Sequence, residues 1–180
     1  MHKKWGCFKA YETAPYTHKE GVKMEIRSAD IGSQSSHAAG RNLLKTMYEE
    51  LFGRPMPEIL VTEMGKPYFV DHSAHFSISH TKKRVFCALS DKNIGIDAEQ
   101  TDRNIRLELA EKILSPSEKA QYDQAENKAE VLLRFWVLKE AAAKCSGQGL
   151  QGYPNDTDFS FADSRIIQID GCFVAVIENA

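Results

Sequence analysis

The chain has 180 residues, 42% of them hydrophobic and 27% charged, which is ordinary for a globular protein and enough for a buried core. A formal net charge of −2 excludes a general attraction to nucleic acid or an anionic membrane, so a phosphate-bearing ligand needs a local cluster of cations. No apolar run reaches about 18 residues and charges break up the first 21 residues, so neither a membrane span nor a secretory leader is expected, and the expected compartment is the cytoplasm.

Residues 37–51, "HAAGRNLLKTMYEEL", place Ala39, Leu43, Leu44, Met47, Tyr48 and Leu51 at helical spacing, with Gly53 and Pro55 as a stop. A short strand is expected in "EILVTEM" (58–64), a turn at "GKP" (65–67), and three strands across residues 75–99, parted by "TKK" and "DKN" as in an antiparallel meander. Lys82, Lys83 and Arg84 read as a solvated hairpin tip. Further on, Ser115, Pro116 and Glu118 carry the signature of a capped helix start. A longer helix is expected over about 127–145, ended by "SGQG", followed by strands in "DFSFA", "SRIIQID" and "CFVAVIE".

Each half thus reads as a helix followed by a meander, and "FCAL" (86–89) is faintly echoed by "FVAV" (173–176). The expected fold is α+β, a pseudo-twofold monomer of two similar halves, 1–98 and 99–180, packed as one unit with a site at the seam. Cys7, Cys87, Cys145 and Cys172 lie far apart without C-x-x-C spacing. That argues for free thiols over a zinc knot or a disulfide framework, with Cys87 and Cys172 in the core.

Two stretches carry chemistry. In "NIGIDAEQ" (93–100) strand alternation sends Ile94 and Ile96 one way and Gly95, Asp97 and Glu99 the other. Two carboxylates so close repel unless solvent or a cation intervenes, and hard oxygen donors of this kind suit Mg²⁺. Gly95 is expected to leave room for a ligand beside them. The competing reading is a solvated strand end. In "RFWVLKEAAAK" (134–144) Trp136, Glu140 and Lys144 fall on one line of a helix. Glu140 and Lys144 either form a surface pair worth ~0.3–0.5 kcal/mol or wall a site, in which Glu140 joins Asp97 and Glu99 around Mg²⁺ and Lys144 reaches the phosphate held there.

"GKPYF" (65–69), "FSISH" (76–80), "GIDAE" (95–99) and "FWVLKEAAAK" (135–144) occur in the order and at about the spacing of the 4′-phosphopantetheinyl transferases. From about residue 37 to the C-terminus the chain resembles the monomeric, pseudo-dimeric, surfactin-synthetase-activating branch. The resemblance implies transfer of the phosphopantetheine arm of coenzyme A to a serine of an apo acyl or peptidyl carrier protein, with Mg²⁺, releasing adenosine 3′,5′-bisphosphate. It implies Asp97, Glu99 and Glu140 as metal-binding acids, Glu140 also as base, and Lys144 as the lysine on the diphosphate. Lys66, Ser79 and His80 match positions that hold the adenosine 3′-phosphate and neighbouring oxygens. Family members usually have a longer N-terminal segment with basic residues around the first helix. Here "SQSSHAAGR" has Ser36 where arginine is expected, and a non-catalytic relative that binds coenzyme A or a carrier protein is the alternative. A serine hydrolase built on Ser79 and His80 is disfavoured, because strand neighbours face opposite ways and no nucleophile elbow is present.

Overall fold

A computed structural model describes residues 24–148 and 157–179. Strand β1 (Glu25–Asp30) leads into helix α1 (Ser36–Phe52), followed by strands β2 (Ile59–Val61), β3 (Pro67–Phe69), β4 (His75–His80), β5 (Arg84–Ser90) and β6 (Ile94–Gln100). A single 3₁₀ turn (Leu107–Leu109) precedes helices α2 (Ala110–Ile113), α3 (Pro116–Gln124) and α4 (Lys128–Ser146), and strands β7 (Ile166–Ile169) and β8 (Cys172–Glu178) close the chain. The α+β class is as expected.

Helix boundaries follow local chemistry. Ser35 caps α1 by accepting from the Ala38 N–H at 3.2 Å, and Gly53, left-handed at φ 63°, ends it. The expected capping box is present at α3, where Ser115 and Glu118 serve each other's backbone N–H. Asn127 caps α4, and Gly147 at φ 72° stops it.

Strand pairing departs from the expected meander. β4 and β5 do pair antiparallel, but β6 leaves them and pairs with β8. The sheets are β1-β5-β4 and β6-β8-β7, with β2-β3 as a separate hairpin. Both three-stranded sheets therefore place the first strand against the last, with the helices between the first and second strands. β1 and β3 were not evident in the sequence. "DFSFA" forms no strand; Phe159 instead inserts into the core, its N–H donating to Glu118 Oε1 at 3.0 Å.

Alternation along each strand sorts the core into layers. Val85, Cys87 and Leu89 of β5 pack on Leu43, Leu44, Met47 and Tyr48 of α1. Phe86 and Ala88 face the other way, against Ile94, Ile96 and Ala98 of β6 and Cys172, Val174 and Val176 of β8. Phe173, Ala175 and Ile177 then cover α4 residues such as Leu132, Phe135 and Leu138. The order of layers is α1, first sheet, second sheet, α4, and burial of these apolar faces is the main driving force holding it. The echo of "FCAL" in "FVAV" is out of phase, since Phe86 faces the central layer and Phe173 faces α4.

Cys87, Cys145 and Cys172 are free and buried, while Cys7 lies outside the described residues. Arg84 is not a solvated tip residue: its guanidinium donates to Asp30 at 2.9 Å and Ser28 at 2.9 Å and pairs with Asp170 at 2.6 Å, which ties the first sheet to the β7–β8 turn. Among the described residues no helix is long and apolar enough to cross a membrane.

Candidate functional site

β6 is an edge strand, so alternate backbone N–H groups point out of its sheet. Ser77 and Ser79 of β4 meet them: Ser77 Oγ accepts from the Ile96 N–H at 3.0 Å and Ser79 Oγ from the Ala98 N–H at 3.2 Å. The S-x-S spacing matches the strand period, and two hydroxyls take the place of a backbone ladder. The hydroxyl of Ser79 also donates to Asp97 Oδ1 at 2.9 Å. "FSISH" and "GIDAE" are thus joined atom to atom.

The other side of β6 faces α4. A Cβ at Gly95 would lie 2.0 Å from Ala141 O and 2.4 Å from Cys145 N, so the glycine admits the α4 backbone, not a ligand as expected. That close approach brings Lys144 to Asp97, with Nζ 2.7 Å from Oδ1. Asp97 is 6% exposed, which excludes the competing reading of a solvated strand-end acid, and its Oδ2 is buried without a hydrogen-bond partner. A buried, unpartnered carboxylate oxygen is costly and invites a cation.

Glu99 shares the Asp97 face of the strand and pairs with Arg103. The Arg103 guanidinium lies over the Trp136 ring at 5.6 Å. Descending β6 from Glu99 to Gly95 therefore runs beside α4 climbing from Trp136 to Cys145, with Glu140 between the two contact points. Glu140 and Lys144 line a cavity of about 480 Å³ with Lys66, Ser77 and Gly147. Among the described residues no three His, Cys, Asp or Glu side chains stand close enough to hold a metal ion as they are. Asp97 Oδ2 is a hard oxygen donor of the kind Mg²⁺ takes, while Glu140 lines the cavity and Glu99 is paired with Arg103.

Lys66 lines the same cavity, but its ammonium donates to Cys145 O at 2.5 Å and to Asn93 Oδ1. Burial holds it below its ordinary pKa, opposed by Cys145. His80 is exposed at the end of β4, on the strand face opposite buried Ser79. Lys66, Asp97, Glu140 and Lys144 are brought together, whereas Ser79 is spent on β6 and His80 stands apart.

The sequence reading passed over two further residues that matter around α4, one holding the helix in the fold and one at the cavity. Lys139, next to Glu140, is 1% exposed and pairs with fully buried Glu118 at 2.8 Å. Its place on the apolar side of the α4 pattern, between Phe135 and Ala143, was the available signal. Asn93, in the "DKN" turn, joins Lys66 to the end of α4.

A buried acid with a spare oxygen, a lysine on its other oxygen and a glutamate on the cavity wall can together serve a phosphate ester and a divalent cation. Residues 93–173 match the family model of the 4′-phosphopantetheinyl transferase superfamily. The 4′-phosphopantetheinyl transferase gsp of Aneurinibacillus migulanus is 31% identical over 140 residues, covering 73% of this chain and 56% of that protein. The 4′-phosphopantetheinyl transferase Sfp of Bacillus subtilis (strain 168) is 36% identical over 91 residues, 49% of this chain and 40% of the relative. The enzyme psf-1 of Bacillus pumilus is 33% identical over 116 residues, 62% and 49%. The chain spans about half the length of these curated relatives.

Proposed function

We propose that the chain transfers the 4′-phosphopantetheine arm of coenzyme A to a serine hydroxyl of an apo acyl or peptidyl carrier protein. The observation that carries this reading is Lys144 on one oxygen of Asp97 while the other oxygen stays buried and unpartnered, beside the cavity that Glu140 lines. Asp97, Glu99 and Glu140 would hold Mg²⁺, which when bound neutralises charge on the diphosphate oxygens. Glu140 takes the proton of the carrier serine, whose oxygen forms the new bond to phosphorus. The phosphorus–oxygen bond to adenosine 3′,5′-bisphosphate breaks, and Lys144 stabilises the charge growing on that leaving oxygen. Lys66, with its third N–H, supplies positive charge to the 3′-phosphate, His80 would reach it only from the exposed end of β4, and Ser79 acts by holding Asp97.

On this reading the protein is a cytoplasmic monomer, and its two sheets of like strand order are two pseudo-twofold halves. That β6 runs through residues 98 and 99 and pairs in the second sheet supports a division between β5 and β6 in place of one at 98/99. Incubation with coenzyme A, Mg²⁺ and a panel of apo carrier proteins, read by intact mass, should show the gain of one phosphopantetheine on at least one carrier. No gain on a panel that a known transferase modifies would overturn the reading.

A further inference from the structure

The last carbonyls of a helix lack partners within it. At the end of α4 the Cys145 carbonyl accepts from two side chains, Asn93 Nδ2 at 2.8 Å and Lys66 Nζ at 2.5 Å. Lys66 also donates to Asn93 Oδ1, so the amide and the ammonium are bonded to each other and to one carbonyl. The rest of Asn93 is fixed as well: its own carbonyl accepts from the Asn179 N–H at 3.0 Å and from the Cys145 thiol at 3.3 Å.

Lys66 reaches this point from a different element. It sits in the β2–β3 turn, where its N–H donates to Thr62 Oγ1 at 3.0 Å and its carbonyl accepts from the Thr62 N–H at 2.9 Å. Its aliphatic stem crosses Gly147, where a Cβ would lie 2.9 Å from Lys66 Cδ. Lys66 lines both the cavity that holds Glu140 and Lys144 and a second one of about 350 Å³ lined also by Thr62, Tyr68, His72, His75 and Asn93. A lysine on a two-stranded hairpin loses several rotatable bonds' worth of freedom when it is held in one place. Two acceptors fix it here, and the charge suits the negative end of α4.

We infer that Asn93 is a positioning residue: it holds Lys66 across the end of α4, so that the lysine's remaining N–H faces the ligand cavity on a wall shared with Lys144. This rests on the proposed transfer from coenzyme A. In this role Asn93 acts through Lys66. Its effect should therefore fall on coenzyme A binding and leave the chemical step alone.

The test is a double-mutant cycle on coenzyme A affinity, measured by calorimetry on the whole chain with Asn93→Ala, Lys66→Ala and the double variant. Asn93→Ala should weaken binding about tenfold in the Lys66 background and less than twofold in the Lys66→Ala background. In transfer assays KM should rise and kcat should stay within about twofold. Asn93→Asp keeps an acceptor for the ammonium but loses the donor to the Cys145 carbonyl, so its affinity should fall between wild type and Asn93→Ala, which also serves if Asn93→Ala does not fold. Equal losses in both backgrounds, or a fall in kcat without a rise in KM, would overturn the positioning role. A wild-type chain that binds no coenzyme A would overturn the transferase reading and this inference with it.

Discussion

Lys144 and Asp97 come from different elements, the last turn of α4 and the middle of β6, and meet at 2.7 Å on the carboxylate oxygen that Ser79 also holds. The Lys144 side chain is one third exposed and lines the cavity, while Asp97 is almost closed off. Asp97 therefore depends on Lys144 for its counter-charge, and the Lys144 ammonium remains accessible to a ligand in the cavity. The line of residues on α4 is shaped by β6 as much as by the helix surface.

Lys144→Gln keeps length and polarity but removes this charge. In the proposed reaction kcat should fall by about 10²–10³, as when a group aimed at developing charge is removed. Stability without metal should fall by ~1–3 kcal/mol, since the buried carboxylate loses a charged partner, and Mg²⁺ should restore part of the lost melting temperature. Transfer within about threefold of wild type would leave the lysine a purely structural ion pair.

Arg103 competes for Glu99. An ion pair of this exposure is worth roughly 0.2–1 kcal/mol, so Arg103→Ala should lower the Mg²⁺ concentration for half-maximal transfer by up to about fivefold. The readout is a Mg²⁺ titration at saturating coenzyme A. An increased Mg²⁺ requirement would remove Glu99 from the proposed metal-binding set.

The edge of β6 gives a prediction that does not depend on the reaction. Ser77→Ala leaves the Ile96 N–H buried without its acceptor, which should cost ~1–3 kcal/mol. Hydrogen exchange at Ile96 should quicken more than at residues of β8. An unchanged exchange rate would show that the hydroxyl does not substitute for a ladder bond.

The elements legible in the sequence were those whose signal is local. The capping box of Ser115 and Glu118, the apolar spacing of α1 and the alternation of β4, β5, β6 and β8 are written within a few residues of each other. Partner choice among strands is not. Nothing near residue 94 says that β6 forsakes β5 for β8, some 80 residues on, and the meander was the shorter-range guess. β1 was missed because "EIRSAD" is short and polar and is held in place by β5. For the site, the pattern pointed to Asp97, Glu140 and Lys144, and alternation correctly turned Asp97 and Glu99 away from Ile94 and Ile96. The burial of Asp97 and the closure of Gly95 follow from the approach of α4, which no strand-level rule contains.

Lys139 shows the same limit and yields the last prediction. It lies between Leu138 and Glu140, and a lysine there reads as solvated until α3 and residues 157–159 are folded over it. Its ammonium then has Glu118 at 2.8 Å, the Thr157 carbonyl at 3.5 Å and the Phe159 ring at 5.7 Å. Glu118 also accepts from the N–H groups of Ser115 at 2.9 Å and Phe159 at 3.0 Å, so one carboxylate fastens the start of α3, the 157–159 segment and α4. Breaking a fully buried pair from one side leaves an uncompensated charge, commonly costing ~3–5 kcal/mol. Lys139→Met should show that loss in denaturant unfolding, and Glu118→Ala a larger one because two backbone donors are stranded as well. The double variant should be less destabilised than the sum of the singles, since no lone charge remains. Additive losses would mean that the two side chains stabilise the fold separately, and that α4 is held against α3 by its apolar contacts alone.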